Sequence, residues 1–259
     1  MKLQLFFFLL ASNVCFAQNW MGEVMVGTSA YNGDLTEQAI SLKRLFPAVG
    51  VNLKYNTGDF IDFRIGLNFE KVGADDKDNK NPYLQKRNLN FKTSVLEFNA
   101  CVELNLIDPS IYDQYPYIFA GIGFFHFNPY TTDDNGKKTY LNPLDTEGEG
   151  LPDYPSRKNY SLTQPCIPIG AGLKWKVKEG IELAYEFGYR ILFTDYLDDV
   201  SKTYVSIETL SLRKGPEAAE LSYRKVNTPF TEEGYPRGNP KVKDYYFFTG
   251  LKVSMKFGK

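Results

Sequence analysis

Few residues in this chain carry the chemistry of an active site. His126 is the only histidine in the sequence. A Ser, His and acid hydrolase set would have to be built on it, yet no Gly-x-Ser-x-Gly elbow exists for a nucleophile. A zinc centre would need further His or Cys ligands close by, and neither Cys101 nor Cys166 lies in a metal-type spacing. Two acidic groups remain, Asp145, Glu147 and Glu149 in one stretch and Asp195, Asp198 and Asp199 in another. Their oxygens suit calcium, but neither follows the EF-hand order, so they read as solvated loop charges. No catalytic, cofactor or metal residue is assigned. Enzymatic use of His126 stays a minor alternative to an ordinary barrel or interface role.

The segments that would have to position such residues share one pattern. In GIELAYEFGYRILFTDYLDD, residues 180 to 199, Ile181, Leu183, Tyr185, Phe187, Tyr189, Ile191 and Phe193 alternate with Glu182, Glu186 and Arg190. A period of two is a strand with unlike faces. The pattern recurs at 20 to 31, 47 to 56, 60 to 72, 93 to 107, 115 to 127, 166 to 178 and 245 to 257. With the stretch from Ile181 that makes eight strands. The fifth is apolar on both faces and rich in glycine.

Connections between them alternate in length. They are long at 32 to 46, 73 to 92, 128 to 165 and 194 to 244, and short at 56 to 59, 108 to 114 and 178 to 180. In an antiparallel meander this puts the short turns at one end and the long loops at the other, as in bacterial outer-membrane barrels. A lipocalin is also an exported eight-stranded barrel, with the faces reversed. Alternating connections and the lack of a Gly-x-Trp start favour the membrane form. So do aromatics near the strand ends: Trp20, Tyr55, Tyr115 and Trp175 toward the short turns, Tyr189, Phe193, Phe124 and Tyr245 toward the long loops. Phe257 ends the last strand in phase with the apolar face. The fold expected is all-β, an eight-stranded up-and-down antiparallel transmembrane barrel with short periplasmic turns, long extracellular loops and both termini periplasmic.

Composition agrees. Thirty basic against thirty-one acidic residues argue against nucleic acid as a partner. LQLFFFLLASNVCFA after Lys2 reads as a signal peptide over 1–17, too short to span a bilayer. Val14 is the wrong neighbour for a lipid-anchored Cys15. Residues 18–259 form one barrel domain in the outer membrane of a Gram-negative cell. Cys101 and Cys166 allow at most one bridge.

The polar faces meet inside. An eight-stranded bore is just wide enough for side chains to fill it. Asp62, Glu97, Glu103, Glu182 and Glu186 are therefore expected to interlock with Lys54, Arg64, Lys174, Arg190 and Lys252, because an unpaired buried charge costs several kcal/mol. The network reads as a plug of ion pairs, with a proton or ion path as the sharper alternative.

Five stretches resemble the PorG family, in order along nearly the whole mature chain: RNLNFKTSVLEFNA at 87 to 100, YIFAGIGFFHFNP at 117 to 129, PLDTEGEGLP at 143 to 152, FGYRILFTDYLDDVS at 187 to 201, and RGNP with KDYYFFTG over 237 to 250. These are outer-membrane barrels of the type IX secretion system, coupled in some bacteria to gliding motility. The resemblance implies association with the periplasmic ring of the PorK lipoprotein and PorN, GldK and GldN in gliding species. It brings no catalytic residues. It therefore implies a non-enzymatic assembly subunit; the alternatives are a free-standing adhesin or surface barrel and a small outer-membrane enzyme.

Candidate partner contacts fall in two places. Ile111 and Tyr112, in the longest short turn (DPSIYDQ, 108 to 114), offer apolar anchors to a periplasmic partner. Asp195, Tyr196, Asp198 and Asp199 form either a structured loop base with carboxylates capping a turn or a docking surface.

Overall fold

The computed structural model describes residues 19–37, 43–132, 136–225, 228–229 and 233–257. The leader at 1–17, Cys15, Gln18, Asn135, Gly258 and Lys259 lie outside them. Eight long strands follow the eight alternating segments: β1 (Trp20–Asn32), β2 (Phe46–Asn56), β3 (Ile61–Asp75), β4 (Asn90–Asn105), β5 (Gln114–His126), β8 (Thr163–Lys178), β9 (Ile181–Leu192) and β10 (Tyr245–Lys256). A short hairpin, β6 (Tyr130–Thr132) and β7 (Lys138–Tyr140), sits in the connection between β5 and β8.

Each long strand pairs antiparallel with its neighbours in sequence, and β10 returns to β1 from Met21↔Lys256 to Asn32↔Tyr245. The sheet is a closed eight-stranded barrel. Closure leaves no edge among the long strands, so their backbone groups are satisfied without water. Gly58 and Gly180, at φ +80° and +75°, let the two tightest turns reverse.

The two parities face opposite sides of the wall. Val51, Phe63, Phe98, Ile122, Phe187 and Val253 face outward and are exposed, while Lys54, Asp62, Glu97, Glu103 and Glu186 on the other parity are buried. Water outside would make that wall a very large apolar patch. Trp20 and Tyr55 meet edge to face at 5.0 Å, and Tyr189 and Tyr245 pack tilted at 4.7 Å, at opposite ends of the wall. Tyr115 does not belong to the girdle. It is fully buried in the bore, because its partners across the barrel are carboxylates that need a donor.

The long strands run 11 to 16 residues, whereas a tilted transmembrane strand needs about 9–11. The excess lies at the long-loop end. There the protein keeps its main apolar core, with Tyr31, Phe91, Phe125, Phe127, Leu197 and Tyr246 packed together. Among the described residues three short α-helices complete this cap: α1 (Pro82–Arg87), α2 (Ile207–Lys214) and α3 (Pro216–Ser222). Asn81 caps α1 by accepting from Tyr83 N, and Ser206 caps α2 by accepting from Thr209 N.

Candidate functional site: a plugged bore, a buried acidic cap and a stapled turn

The bore is filled by ion pairs that cross it. Lys54 on β2 pairs with Glu182 on β9. Arg64 on β3 lies 2.8 Å from both Glu103 and Glu186, and Lys174 on β8 bridges Asp62 at 2.9 Å and Glu103 at 2.7 Å. Arg190 meets Glu97 through two nitrogens at 2.9 and 3.1 Å. Lys252 joins Glu186 at 2.6 Å and Glu23 at 3.0 Å. All ten residues expected from the strand pattern, Asp62, Glu97, Glu103, Glu182, Glu186, Lys54, Arg64, Lys174, Arg190 and Lys252, therefore come together.

Two further carboxylates join them. Glu23 was readable from its phase, between outward Gly22 and Val24 and in step with inward Met21 and Met25, but the first strand is short of polar residues and hides it. Glu70 was on the polar face but has only a distant cation, Arg190 at 3.8 Å. Tyrosines of the fifth and last strands supply donors: Tyr115 to Glu182 at 2.8 Å, Tyr117 to Glu186 at 2.6 Å and Tyr246 to Glu97 at 2.7 Å. The ring of Tyr117 needs Gly172, where a Cβ would come within 2.5 Å of it. That is why the fifth strand looked apolar on both faces. Its inner face carries two phenols, Tyr115 and Tyr117, beside Phe119 and Phe125. Cys101 and Cys166 are buried free thiols on the inner wall.

The cap holds an unusual number of buried acids, contrary to the expectation of solvated loop charges. Asp145, Glu147, Glu149, Asp195, Asp198 and Asp199 are each at most 5 % exposed. Loops of unlike origin close over them. Glu147 accepts from Ser201 N at 3.0 Å, from Lys202 N at 2.8 Å and from Arg237 at 3.1 Å. Asp199, at φ +67°, accepts from Thr146 at 2.6 Å and from Tyr160 at 2.6 Å. Arg237 also donates to Asp199 O at 2.6 Å. The stretches 143 to 152, 194 to 201 and 237 to 240 thus form one cluster.

Burial governs their acidity. It raises Asp199 to about 6, Asp195 to about 7 and Glu149 to about 8, the last with help from the charges of Asp199 and Glu147. Tyr196 is buried with them and stacks on Tyr160 at 4.6 Å. As candidate partner contacts, Asp195, Tyr196, Asp198 and Asp199 are turned toward the protein itself, as a loop base is. Among the described residues no group of three or more His, Cys, Asp or Glu side chains is placed to hold a metal ion.

His126 points out of the wall, with Nδ1 3.0 Å from Thr163 Oγ1.

At the other end, the turn after β4 is stapled to itself. Asp108 accepts from Ser110 N at 2.8 Å and from Ser110 Oγ at 2.7 Å, its carbonyl accepts from Ile111 N and Tyr112 N at 3.2 Å, and Lys176 donates to Pro109 O. Ile111 and Tyr112 are left 71 % and 53 % exposed. A vestibule of about 470 Å³ opens beside them, lined by Asn19, Asn56, Asp113, Lys176, Lys178 and Lys256 among others.

A family model described as a domain of unknown function, DUF6089, matches residues 1–215. The chain belongs to the DUF6089 family. No curated protein matches this DUF6089 member in sequence. Among solved structures it is similar to Neisserial surface protein A, at 10% identity and a TM-score of 0.46, covering 92% of this chain and 97% of that one. It is also similar to Ail, the attachment invasion locus protein of Yersinia pestis, at 8% identity and a TM-score of 0.43, covering 92% and 97%. A third is a major outer membrane protein from Thermus thermophilus, at 12% identity and a TM-score of 0.43, covering 92% and 99%.

Proposed function

We propose that this DUF6089 barrel is an integral, non-enzymatic outer-membrane subunit of the type IX secretion system, which anchors or organises a periplasmic ring of PorK/GldK-like and PorN/GldN-like proteins from its short-turn end. The membrane part rests on the apolar outer wall, which has no other means of avoiding water. The role in the secretion machine rests on the five stretches that resemble PorG. With the bore plugged and the cap turned inward, partner binding falls to the surfaces at the ends.

One observation carries the docking end: Ile111 and Tyr112 stand exposed on a turn that is rigid without them. A small apolar cluster with one aromatic often dominates an interface, each anchor costing about 2 kcal/mol or more when truncated. Because the turn is held by Asp108, Ser110 and Lys176, the double variant Ile111→Ala, Tyr112→Ala is expected to fold as the parent does. It should recover several-fold less ring protein when the tagged barrel is purified from membranes in mild detergent. Undiminished recovery with the double variant would remove this docking site. Failure of the parent itself to bring down any ring protein would remove the secretion role.

A further inference from the structure

Where β1 ends, the Tyr31 hydroxyl stands between two carboxylates, 2.5 Å from Asp198 Oδ2 and 3.0 Å from Asp244 Oδ1. All three residues are 1 % exposed. Asp198 belongs to the long connection after β9, and Asp244 is the last residue before β10. The outer oxygens are occupied: Asp198 Oδ1 accepts from Val200 N at 2.8 Å and Asp244 Oδ2 from Leu197 N at 2.9 Å.

A phenol has one proton and gives it to one acceptor. Two ionised carboxylates cannot both be hydrogen-bonded to it. The contacts close only if one carboxyl keeps its own proton and donates it to the phenol oxygen. The backbone is drawn in to allow this approach. At Gly33 a Cβ would fall 1.9 Å from Asp244 Oδ1 and 2.2 Å from the Tyr31 hydroxyl oxygen.

The surroundings do not neutralise a second charge. Asp34, in the connection after β1, faces both carboxyls, and Asp195 faces Asp244. Arg87 of α1 faces Asp198, but its nitrogens are bonded to Asp76 at 2.7 Å and to the carbonyls of Asp34 and Arg237.

We propose that Tyr31, Asp198 and Asp244 form a proton-operated clasp: with one extra proton held between the carboxyls and the phenol it ties the β9–β10 connection to the end of β1, and release of that proton to solvent loosens the cap. Burial first, and then each carboxylate's charge on the other, holds both acids well above the usual carboxylate range. An acid whose folded pKa is raised stabilises the closed cap fully below the free value of about 4, and that stability is lost as the pH climbs through the folded value. The clasp is thus shut in acid and opens toward alkali.

The test uses the full-length protein folded in detergent micelles. Cleavage within residues 194–244 by proteinase K is followed from pH 6 to pH 10, with each rate divided by that of an unstructured reference peptide at the same pH. A shared proton makes opening about tenfold more frequent per pH unit between its release from the open cap, near 4, and its release from the closed one. Asp34, Asp195, Asp199 and Glu149 add to the parent's slope, so the deciding quantity is a difference. Asp244→Asn keeps an acceptor for Leu197 N and gives its amide proton to the phenol. It should lower the slope of log rate against pH by about one, while the barrel still shifts on heating in a gel. Should this variant lose that heat shift, Asp198→Asn is read in the same way. A corrected parent rate that is flat with pH would overturn the proposal. So would a substituted protein that titrates like the parent, or millimolar calcium protecting the parent at pH 10 as fully as acid does, since that would make the cluster a cation site.

Discussion

Arg190 shows what a single residue does in this interior. It ties β9 to β4 through Glu97, is 2 % exposed, and is the cation nearest Glu70. Arg190→Ala would strand Glu97 with only neutral donors and Glu70 with none nearby, a loss of about 3–5 kcal/mol in unfolding free energy by urea titration in micelles. Arg190→Lys keeps the charge but forfeits the two-nitrogen geometry, and should lose roughly half as much. An Arg190→Ala protein as stable as the parent would mean that water reaches the plug. Such residues were legible from sequence because strand parity is local. Lys54, Arg64 and Glu186 each declare their face through their immediate neighbours. Tyr115 was not legible: a phenol at a strand end suits the bilayer interface as well as a buried carboxylate, and only the register across the barrel separates the two. The acids at 145 to 149 and 195 to 199 failed for the same reason. Whether a loop charge is solvated depends on which distant loop covers it.

At the scale of the element, alternation and turn signals fixed the eight long strands to within a few residues. Boundaries slipped where polar residues continue a strand above the lipid: β3 runs on to Asp75, β4 begins at Asn90 and β8 at Thr163. The β6–β7 hairpin and the three cap helices went unread, since 3 to 8 residues carry too little periodicity to stand out from turn chemistry. Their environment does set an expectation. Lys214 and Gly215 lie at the end of α2 on the long-loop side, whereas Thr57 to Asp59 are the tight turn at the other end. A protease site inserted after Lys214 should be cut on intact cells, and one inserted in the turn at 56 to 59 should be cut only after the outer membrane is opened. The reverse pattern would turn the barrel over.

For the molecule as a whole, the wall and its filling point the same way. Outward residues are mostly apolar along the long strands. Inward charges pair across the full width of the bore, from β2 to β9, β3 to β8 and β4 to β9. Lys54, Arg64, Lys174, Arg190 and Lys252 are each at most 4 % exposed, and the acidic cap closes the long-loop end. The proposed anchoring role asks such a body to hold position in a membrane and to meet other proteins at its ends, with no path for solutes through it. The most direct measurement is electrical. Folded protein, verified by its heat-dependent gel shift, is inserted into a planar lipid bilayer in 1 M potassium chloride and the current is recorded under an applied voltage. The plugged barrel predicts a current indistinguishable from that of the bare bilayer, and reproducible stepwise conductance from the folded protein would contradict it.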